Sequence, residues 1–308
     1  MRVLICVSGN APDYTFEKTQ VFVYEQIEAV CKLDSAVEYQ VFAVKGKGVK
    51  GYIKAFTDLT KAVRSYNPDV IHAHCGYVGA LASLQRRVPV ITTFHGTDIN
   101  NKKMRPVSEF ASLLSKYSIF VSHTLQDKMR IKGNDRAIIP CGVDRSIFHN
   151  RPAVECKRSL GIPDDERYIL FASGFDNSIK NPELAKDVAS HFPDFTLREI
   201  RNRSREEVAR LINGAELVLM TSHSEGSPQI IKEAISCSQK VVSVDVGDVR
   251  DQLSGIKGCQ ICTNNEMALV DAIKGVLPLD RPSAENDYRY DNTRIAEEIL
   301  KIYYSILK

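Results

Sequence analysis

The sequence predicts an α/β protein of two domains, each a parallel sheet covered by helices on both faces. Short runs rich in Val and Ile alternate with amphipathic helical stretches, which is typical of such sheets. This series of runs starts again in the second half, and 308 residues suit two domains of about 150 residues each. An apolar content of 44% and a charged content of 26% are ordinary for a globular chain.

The predicted elements follow in order along the chain. In the first half, the strand-like runs are Val3–Val7, Tyr39–Val44, Asp69–Ala73, Val88–Phe94, Ile119–Val121 and Ala137–Ile139. The helical stretches between them include Thr19–Leu33, Tyr52–Tyr66 and Pro106–Lys116. In the second half, the strand-like runs are Tyr168–Ala172, Phe195–Ile200, Leu217–Thr221, Lys240–Asp245 and Gly258–Cys262. A polar segment over 144–165 predicts the linker, which places the domains at 1–150 and 151–291.

One strand-to-helix turn carries the clearest chemical signal. Ser227 suits a helix N-cap and Pro228 suits the first helical position. A helix N-terminus at the carboxyl end of a strand is an anion site. Glu225 and Glu233, separated by seven residues, cannot bind that anion but suit hydroxyl groups. An anion with hydroxyls on both sides describes a nucleotide sugar.

The segment Glu225-Gly-Ser-Pro-Gln-Ile-Ile-Lys-Glu233 resembles the Glu-x7-Glu signature of the retaining family 4 glycosyltransferases. These enzymes adopt the GT-B fold, two Rossmann-like domains with parallel sheets facing a cleft. The resemblance implies that Glu225 meets the donor sugar, that Gly226 and Ser227 also bind the donor, and that Glu233 binds the ribose. It also implies that the last helix, 292–308, returns to the first domain.

The segment from Phe171 to Asn181 resembles the family's phosphate-binding segment, usually written Gly-Arg followed by Lys-Gly. Lys180 matches the lysine and is expected to bind the donor phosphates, whereas Phe175 stands in place of the arginine. Which residue replaces that arginine is left open, with Arg201 and Arg203 as candidates.

In the first half, His95-Gly-Thr-Asp98 resembles the family's His-Gly-x-Asp loop, which sits at the reacting carbon of the donor. The resemblance implies that His95 is catalytic together with Glu225. Asp98 is expected either on the acceptor side or as a helix cap. His72 is expected in the core, and His74, at the strand end, is expected to be exposed on the acceptor side.

Two glycines complete the predicted donor site. Gly9 follows the first strand in what resembles a shortened form of the family's glycine loop. Gly247 fits the glycine-rich turn that the family places near the nucleotide. No Asp-x-Asp element that would hold a divalent ion is evident, and Cys259 and Cys262 have no further zinc ligands nearby. The prediction is therefore no cofactor and no metal, with the leaving group stabilised by Lys180 and helix amides.

Charge distribution and segment lengths predict the partners and the location. Residues 1–150 hold 20 Lys and Arg against 13 Asp and Glu, whereas residues 151–308 hold 21 against 25. The basic first half suits an anionic or lipid-linked acceptor and peripheral membrane association, although an ordinary solvated surface is an alternative. No basic run interleaved with aromatic residues indicates nucleic acid binding. Without a signal peptide or an apolar span, the expected location is cytoplasmic, with the inner face of the membrane as an option.

The predicted function is retaining transfer of a sugar from a nucleotide-sugar donor to a glycan or lipid-linked acceptor. The pattern Phe22-Val-Tyr-Glu25-Gln26 most resembles bacterial members that build cell-surface polysaccharide. Two alternatives stay open: a nucleotide-sugar epimerase of the same fold, and a non-catalytic homologue that binds nucleotide sugars. A dehydrogenase is disfavoured because no G-x-G-x-x-G follows the first strand.

Overall fold

The computed structural model describes residues 1–11, 13–46, 48–133, 135–283 and 289–307. The chain forms two compact units. One consists of Met1–Gly142 together with Asp291–Lys308, and the other of Val143–Tyr290. The first continuous segment therefore ends at Gly142, eight residues before the boundary that the sequence suggested.

The first unit alternates strands with helices along the described chain. Its strands are β1 (Arg2–Ser8), β2 (Glu38–Val44), β3 (Val70–His74), β4 (Val90–Phe94), β5 (Tyr117–Phe120) and β6 (Arg136–Ile138). Its helices are α1 (Phe16–Thr19), α2 (Val21–Leu33), α3 (Gly48–Tyr66), α4 (Gly76–Ser83), α5 (Thr97–Asn100), α6 (Arg105–Leu114), α7 (His123–Lys128) and, at the end of the chain, α14 (Asn292–Ile306).

All strand pairs of this sheet are parallel, and the order within the described residues is β2-β1-β3-β4-β5-β6. The direction of strand addition reverses between β1 and β3. In open α/β sheets, ligands bind outside the carboxyl ends of the strands at such a reversal. Gly9 follows β1 and Cys75 follows β3 at this edge.

Both faces of the first sheet are buried, because successive residues of a strand point to opposite sides. Val3 and Ile5 of β1 pack in one cluster with residues of α2 and α14. Leu4 and Cys6 pack on the other side in a cluster with residues of α3 and α4. Near-continuous apolar runs are what a parallel sheet covered on both faces requires.

The closing helix α14 is part of the first unit. Its Ile295, Ile299 and Ile302 share a buried cluster with Val23 and Ile27 of α2. The spacing of these isoleucines, at positions i, i+4 and i+7, places them on one face of the helix. The two ends of the first unit's chain are thus held together by apolar packing.

The second unit has a smaller sheet. Its strands are β7 (Tyr168–Phe171), β8 (Thr196–Glu199), β9 (Leu217–Met220), β10 (Val241–Val244) and β11 (Cys259–Cys262). Its helices are α8 (Ala153–Ser159), α9 (Pro182–Ser190), α10 (Arg205–Gly214), α11 (Gln229–Ser236), α12 (Val249–Leu253) and α13 (Glu266–Val276). In the described chain, the parallel order is β11-β10-β9-β7-β8, so the reversal lies between β7 and β9.

The segment over 144–165, predicted as a linker, belongs to the second unit instead. Val143, Phe148 and Ile162 are buried in the same cluster as residues of β7 and α10. Ser236 on α11 donates a hydrogen bond to the carbonyl oxygen of Phe148 at 2.5 Å. The polar and Pro-containing composition suggested a linker, but a few apolar side chains fix this segment to the core.

None of the helices in the described residues combines the length and apolar character that crossing a bilayer requires.

Replacing Ile299 with Ala tests whether α14 stabilises the first unit. Ile299 is fully buried, so Ile299→Ala should lower the free energy of unfolding by about 2–5 kcal/mol, measured by urea denaturation followed by circular dichroism. Glu297→Ala, at an exposed position of the same helix, is the control. Equal effects of the two substitutions would show that α14 contributes no core packing.

Candidate active site

The carboxyl edge of the second sheet brings two distant loops together. The loop after β7 contains a short 3-10 helix, Ser178–Lys180, and the loop after β9 contains Glu225. β7 and β9 are hydrogen-bonded neighbours at the reversal of strand order. The signature carboxylate and the matched lysine therefore both lie where the topology of the sheet places ligands.

Lys180 and Glu225 form an ion pair at this edge. Lys180 Nζ lies 2.6 Å from Glu225 Oε1, and the side chains are 26% and 11% exposed. The hydroxyl of Thr221 is shared between the carbonyl oxygens of Lys180, at 2.9 Å, and Asn181, at 2.8 Å. The two loops are thus joined by hydrogen bonds as well as by charge, which fixes the position of the pair.

Ser227 does not cap the following helix, contrary to the sequence prediction. Helix α11 begins at Gln229 with Pro228 in the N-cap position, and no side chain caps it. The Ser227 hydroxyl instead donates to Asp248 Oδ2 at 2.8 Å, and Gln252 Nε2 donates to Asp248 Oδ1 at 2.7 Å. Asp248, which lies far along the chain, outcompetes the local backbone for the hydroxyl.

Burial raises the pKa of Asp248, with the Lys232 charge and the Ser227 and Gln252 hydrogen bonds opposing it. The turn from Gly247 to Asp248 contacts the loop that carries Glu225 and Ser227. Gly247 has φ +60°, a conformation that glycine adopts without strain. A Cβ atom there would lie 3.0 Å from the carbonyl oxygen of Gly226 and 3.1 Å from Glu225 Cβ.

Glu233, a residue of α11, is almost fully buried, with 3% of its side chain exposed. Its Oε1 lies 2.8 Å from Arg205 Nη1 but without the alignment of a hydrogen bond. Arg205 also stacks over the ring of Phe148 at 4.5 Å. Sequence reasoning missed Arg205, although the capping box formed by Ser204 and Glu207 marks the start of its helix.

Phe175, which stands in place of the family arginine, packs against other side chains. Phe175 stacks on Phe171 with ring centroids 5.4 Å apart, and its backbone N–H donates to Glu199 at 2.6 Å. This side chain can contribute no charge to a phosphate site.

The two arginines proposed as replacements each have a carboxylate partner at a solvent-exposed position. Arg201 Nη2 lies 3.2 Å from Asp176 Oδ2, and Arg203 Nη1 lies 3.0 Å from Glu207 Oε1. By contrast, the Arg205 side chain is only 26% exposed and contacts the second signature carboxylate.

In the first unit, three histidine rings stack in a row. The ring centroids of His72 and His74 are 4.3 Å apart, and those of His74 and His95 are 5.3 Å apart. His72 is held at both nitrogens: Nδ1 lies 2.7 Å from the Tyr303 hydroxyl, and Nε2 lies 2.7 Å from the Thr93 hydroxyl. The core assignment of His72 thus agrees with the structure.

His74 is 3% exposed, so the expectation of an exposed ring is wrong. His74 Nδ1 lies 3.0 Å from His95 Nε2, and one of these two nitrogens carries the proton between them. Burial lowers the pKa of His72 to about 3 and, reinforced by the neighbouring rings, lowers the pKa of His74 well below its usual value. Both rings are therefore neutral supports for His95.

His95 itself is partly exposed and has neighbours on its other sides. Its Nδ1 lies 3.7 Å from Cys141 Sγ, and the ring of Phe22 lies 4.9 Å away. Within the described residues, no group of three or more His, Cys, Asp or Glu side chains is arranged to hold a metal ion.

Asp98 is buried and bonded to the backbone. Its two carboxylate oxygens accept hydrogen bonds from the N–H groups of Gly96, at 2.9 Å, and Gly76, at 3.0 Å. Burial raises the pKa of Asp98, and these backbone hydrogen bonds oppose the effect. Asp98 thus joins the loop after β3 to the loop after β4. It lies inside α5, so it is not the helix cap that the sequence offered as an alternative.

Gly9 lies at the strand reversal of the first sheet, where it packs closely against the neighbouring strand β2. Its N–H donates to the carbonyl oxygen of Val44 at 2.9 Å, and a Cβ atom would lie 2.7 Å from Ala43 Cβ. Close packing against β2 explains the glycine, while its expected contact with a donor stays a prediction.

Two family sequence models match the chain, one in each half. The model described as Glycosyltransferase Family 4 matches residues 18–147, and the one described as Glycosyl transferases group 1 matches residues 170–278. The chain belongs to the family 4 glycosyltransferases. The resemblance inferred from the signature residues is thus confirmed, as is the enzyme class at the level of the family.

A named relative supports this family assignment. TuaC of Bacillus subtilis, a glycosyltransferase named for teichuronic acid biosynthesis, is 24% identical over 246 residues. The match covers 70% of this chain and 62% of TuaC, so the chain spans less than two thirds of that relative's length.

Two solved structures that match nearly the whole chain confirm the GT-B fold. Sucrose-phosphate synthase from Thermosynechococcus elongatus has a TM-score of 0.82 at 14% identity, covering 99% of this chain and 98% of that one. HepE of Anabaena, in complex with UDP and glucose, has a TM-score of 0.76 at 16% identity, covering 98% and 99%.

The neutral state of His72 makes stability depend on pH. Unfolded His72 gains a proton near its usual pKa of about 6.5, whereas the folded residue stays neutral until pH approaches 3, so acid favours the unfolded chain between these values. Between pH 7.5 and 5.0, His72→Gln should remove about 2 kcal/mol of the fall in the free energy of unfolding, measured by urea denaturation. His123→Gln, at an exposed site, should leave that pH dependence unchanged. Equal pH dependence of the His72→Gln variant and the unsubstituted protein would contradict a neutral buried ring.

Gly247→Ala tests whether the turn at Gly247 constrains the loop that carries Glu225 and Gly226. Gly255 is a matched control because its φ is +76° and nothing lies within 4 Å of an added Cβ. Both substitutions carry the strain of a left-handed residue, about 1–2 kcal/mol. Gly247→Ala should cost roughly 1 kcal/mol more in urea denaturation, because its Cβ also presses on Gly226. Equal losses would show that the turn does not constrain the loop.

Proposed function

We propose that this chain transfers a sugar from a nucleotide-sugar donor to a glycan or lipid-linked acceptor, with retention of anomeric configuration. The single observation that carries the proposal is the Lys180–Glu225 ion pair at the strand reversal of the second sheet. This site offers a cation for a diphosphate and a carboxylate for sugar hydroxyls, and the family match favours transfer over epimerisation.

The donor would bind mainly to the second unit. Lys180 would contact the diphosphate, Glu225 would accept hydrogen bonds from the sugar, and Glu233 would accept from the ribose. Gly226 and Ser227 lie on the loop between these groups, and Gly247 supports that loop.

In the first unit, His95 would be the catalytic residue that contacts the reacting carbon of the donor and the acceptor. In the proposed reaction, the bond between the anomeric carbon and the phosphate oxygen breaks while the acceptor oxygen bonds to the same face of that carbon. The acceptor proton passes to the leaving phosphate. Lys180 and the helix amides would stabilise the charge on that phosphate, so we propose a reaction without a metal ion.

The biological setting we propose is cell-surface polysaccharide assembly at the cytoplasmic face of the membrane. The name of TuaC, the basic first half of the chain and the resemblance to bacterial surface-polysaccharide enzymes support this proposal. A glycan acceptor carried on a lipid would require the enzyme to work beside a membrane.

The test is a thermal-shift panel of UDP, GDP, ADP and their common sugars, with and without EDTA. A ligand at about 100 times its dissociation constant should stabilise the protein by about 2.7 kcal/mol. Lys180→Ala should weaken the binding of the stabilising nucleotide about 10- to 100-fold, because a hydrogen bond between charged groups is lost. Lys186→Ala, a half-exposed lysine paired with Glu183, should not.

The outcomes separate the alternatives. Stabilisation by one nucleotide without metal, lost in Lys180→Ala, supports the donor site, and product formation with a glycan acceptor then supports transfer. Conversion of the donor alone into an isomer would indicate an epimerase. Binding without product from any acceptor would indicate a non-catalytic homologue, and no stabilisation by any nucleotide would overturn the proposed site.

A further inference from the structure

Helix α6 turns its large apolar side chains toward solvent. Val107, Phe110 and Leu113 are 41, 47 and 60% exposed. They lie at positions i, i+3 and i+6, so they form one outward stripe together with the exposed Pro106. The buried face of the helix consists of small residues, namely Ser108, Ala111 and Ser112.

Close backbone packing explains this inverted orientation. A Cβ atom on Gly76 would lie 2.7 Å from Ser108 Cα, and one on Gly133 would lie 2.4 Å from the carbonyl oxygen of Ser112. Large side chains on this face could not be accommodated without moving the helix away. The apolar stripe is therefore held outward by the packing of the unit itself.

A strongly basic border surrounds the stripe. The segments 84–90, 101–116 and 128–136 contain ten Lys and Arg residues but only two Asp and Glu. The first segment touches the end of the helix, where Arg86 Nη1 donates to the carbonyl oxygen of Leu114 at 3.4 Å. The third touches its middle, where the N–H of Arg130 donates to Glu109 Oε1 at 2.7 Å. Most of these cationic side chains are exposed.

A groove opens between the first segment and the end of α6. It has a volume of about 410 Å³, and its lining includes Arg86, Arg87 and Lys116 beside the apolar Val88 and Leu113. Cationic and apolar groups side by side match a lipid, whose headgroup is anionic and whose chains are apolar.

We propose that α6 and its basic border seat the first unit on the surface of a bilayer containing anionic lipids. The stripe Val107, Phe110 and Leu113 would enter the interface, and the surrounding cations would contact the headgroups. Nucleic acid would satisfy the charges but leave the apolar stripe in water. A second copy of this chain would cover the stripe but would bring two cationic borders together. A membrane satisfies both features.

Helix α6 lies against the loop after β4, and this position links the proposed membrane surface to catalysis. That link rests on the proposed function. Ser108 Oγ donates to the carbonyl oxygen of Asp98 at 2.8 Å, and Arg105 Nε donates to that of Ile99 at 2.8 Å. The buried face of α6 thus supports the loop that begins at His95. A bilayer on the outer face would hold a lipid-linked acceptor near that loop.

The experiment is co-sedimentation of the full chain with vesicles of phosphatidylcholine, alone or mixed with phosphatidylglycerol, at low and high salt. The protein should bind the anionic vesicles and bind them less at high salt, because salt screens exposed charges. The double variant Phe110→Ser and Leu113→Ser should bind about tenfold more weakly or worse, because apolar insertion adds to electrostatic attraction. The triple variant Lys102→Gln, Lys103→Gln and Lys116→Gln should lose the preference for anionic lipid.

Matched variants elsewhere in the first unit are the controls. Leu33→Ser with Ile53→Ser removes two apolar side chains that are 40% and 63% exposed. The triple change of Lys50, Lys54 and Lys61 to Gln removes three exposed charges on α3. Both controls should bind vesicles like the unsubstituted protein, and circular dichroism should show every variant folded.

Equal binding to neutral and anionic vesicles, or equal losses in the control variants, would overturn the proposal. A mass that doubles in analytical ultracentrifugation and returns to one chain in the Phe110→Ser and Leu113→Ser variant would assign the surface to a second copy instead. The nucleotide panel separates the two proposals. Vesicle binding without nucleotide binding would overturn the proposed function alone, and nucleotide binding without vesicle binding would overturn the membrane surface alone.

Discussion

The candidate site of the second unit depends on the ion pair between Lys180 and Glu225, which holds both side chains in place before a ligand binds. Each group is the other's close partner at 2.6 Å, in surroundings where removing one partner would leave a poorly solvated charge. A ligand that separates them must therefore supply an anion for Lys180 and hydrogen-bond donors for Glu225. A nucleotide sugar supplies both, whereas a free sugar supplies no anion. The pair thus favours a ligand with two chemically different parts.

The first unit depends on the opposite electrostatic condition, the absence of charge. Three stacked imidazole rings tolerate one another only while the inner ones are neutral, and burial keeps His72 and His74 in that form. The far end of the row is fixed by Tyr303, which lies 231 residues along the chain from His72. The closing helix therefore acts on the site as well as on the core, since its tyrosine holds the ring that supports His74 and, through it, His95.

The sequence predicted what short-range patterns encode. Alternating apolar runs located the strands, and strand ends located Glu225 and Lys180 in the second unit and His95 in the first, because parallel topology gathers strand ends at one edge of each sheet. Features that depend on distant partners were not predictable from local pattern. Ser227 looked like a cap until Asp248, 21 residues away, took its hydroxyl. Arg205 was missed because nothing local connects it to Glu233.

Helix α6 shows the same limit in its sharpest form. The pattern over 106–116 predicted an amphipathic helix, and an amphipathic helix ordinarily packs its apolar face inward. Here Ser108 and Ser112 lie inside because Gly76 and Gly133 bring neighbouring backbone too close for anything larger. Periodicity therefore gave the two faces of the helix correctly but not which of them points inward. That choice was made by glycines on other elements, and its result is an apolar surface that the fold itself does not cover.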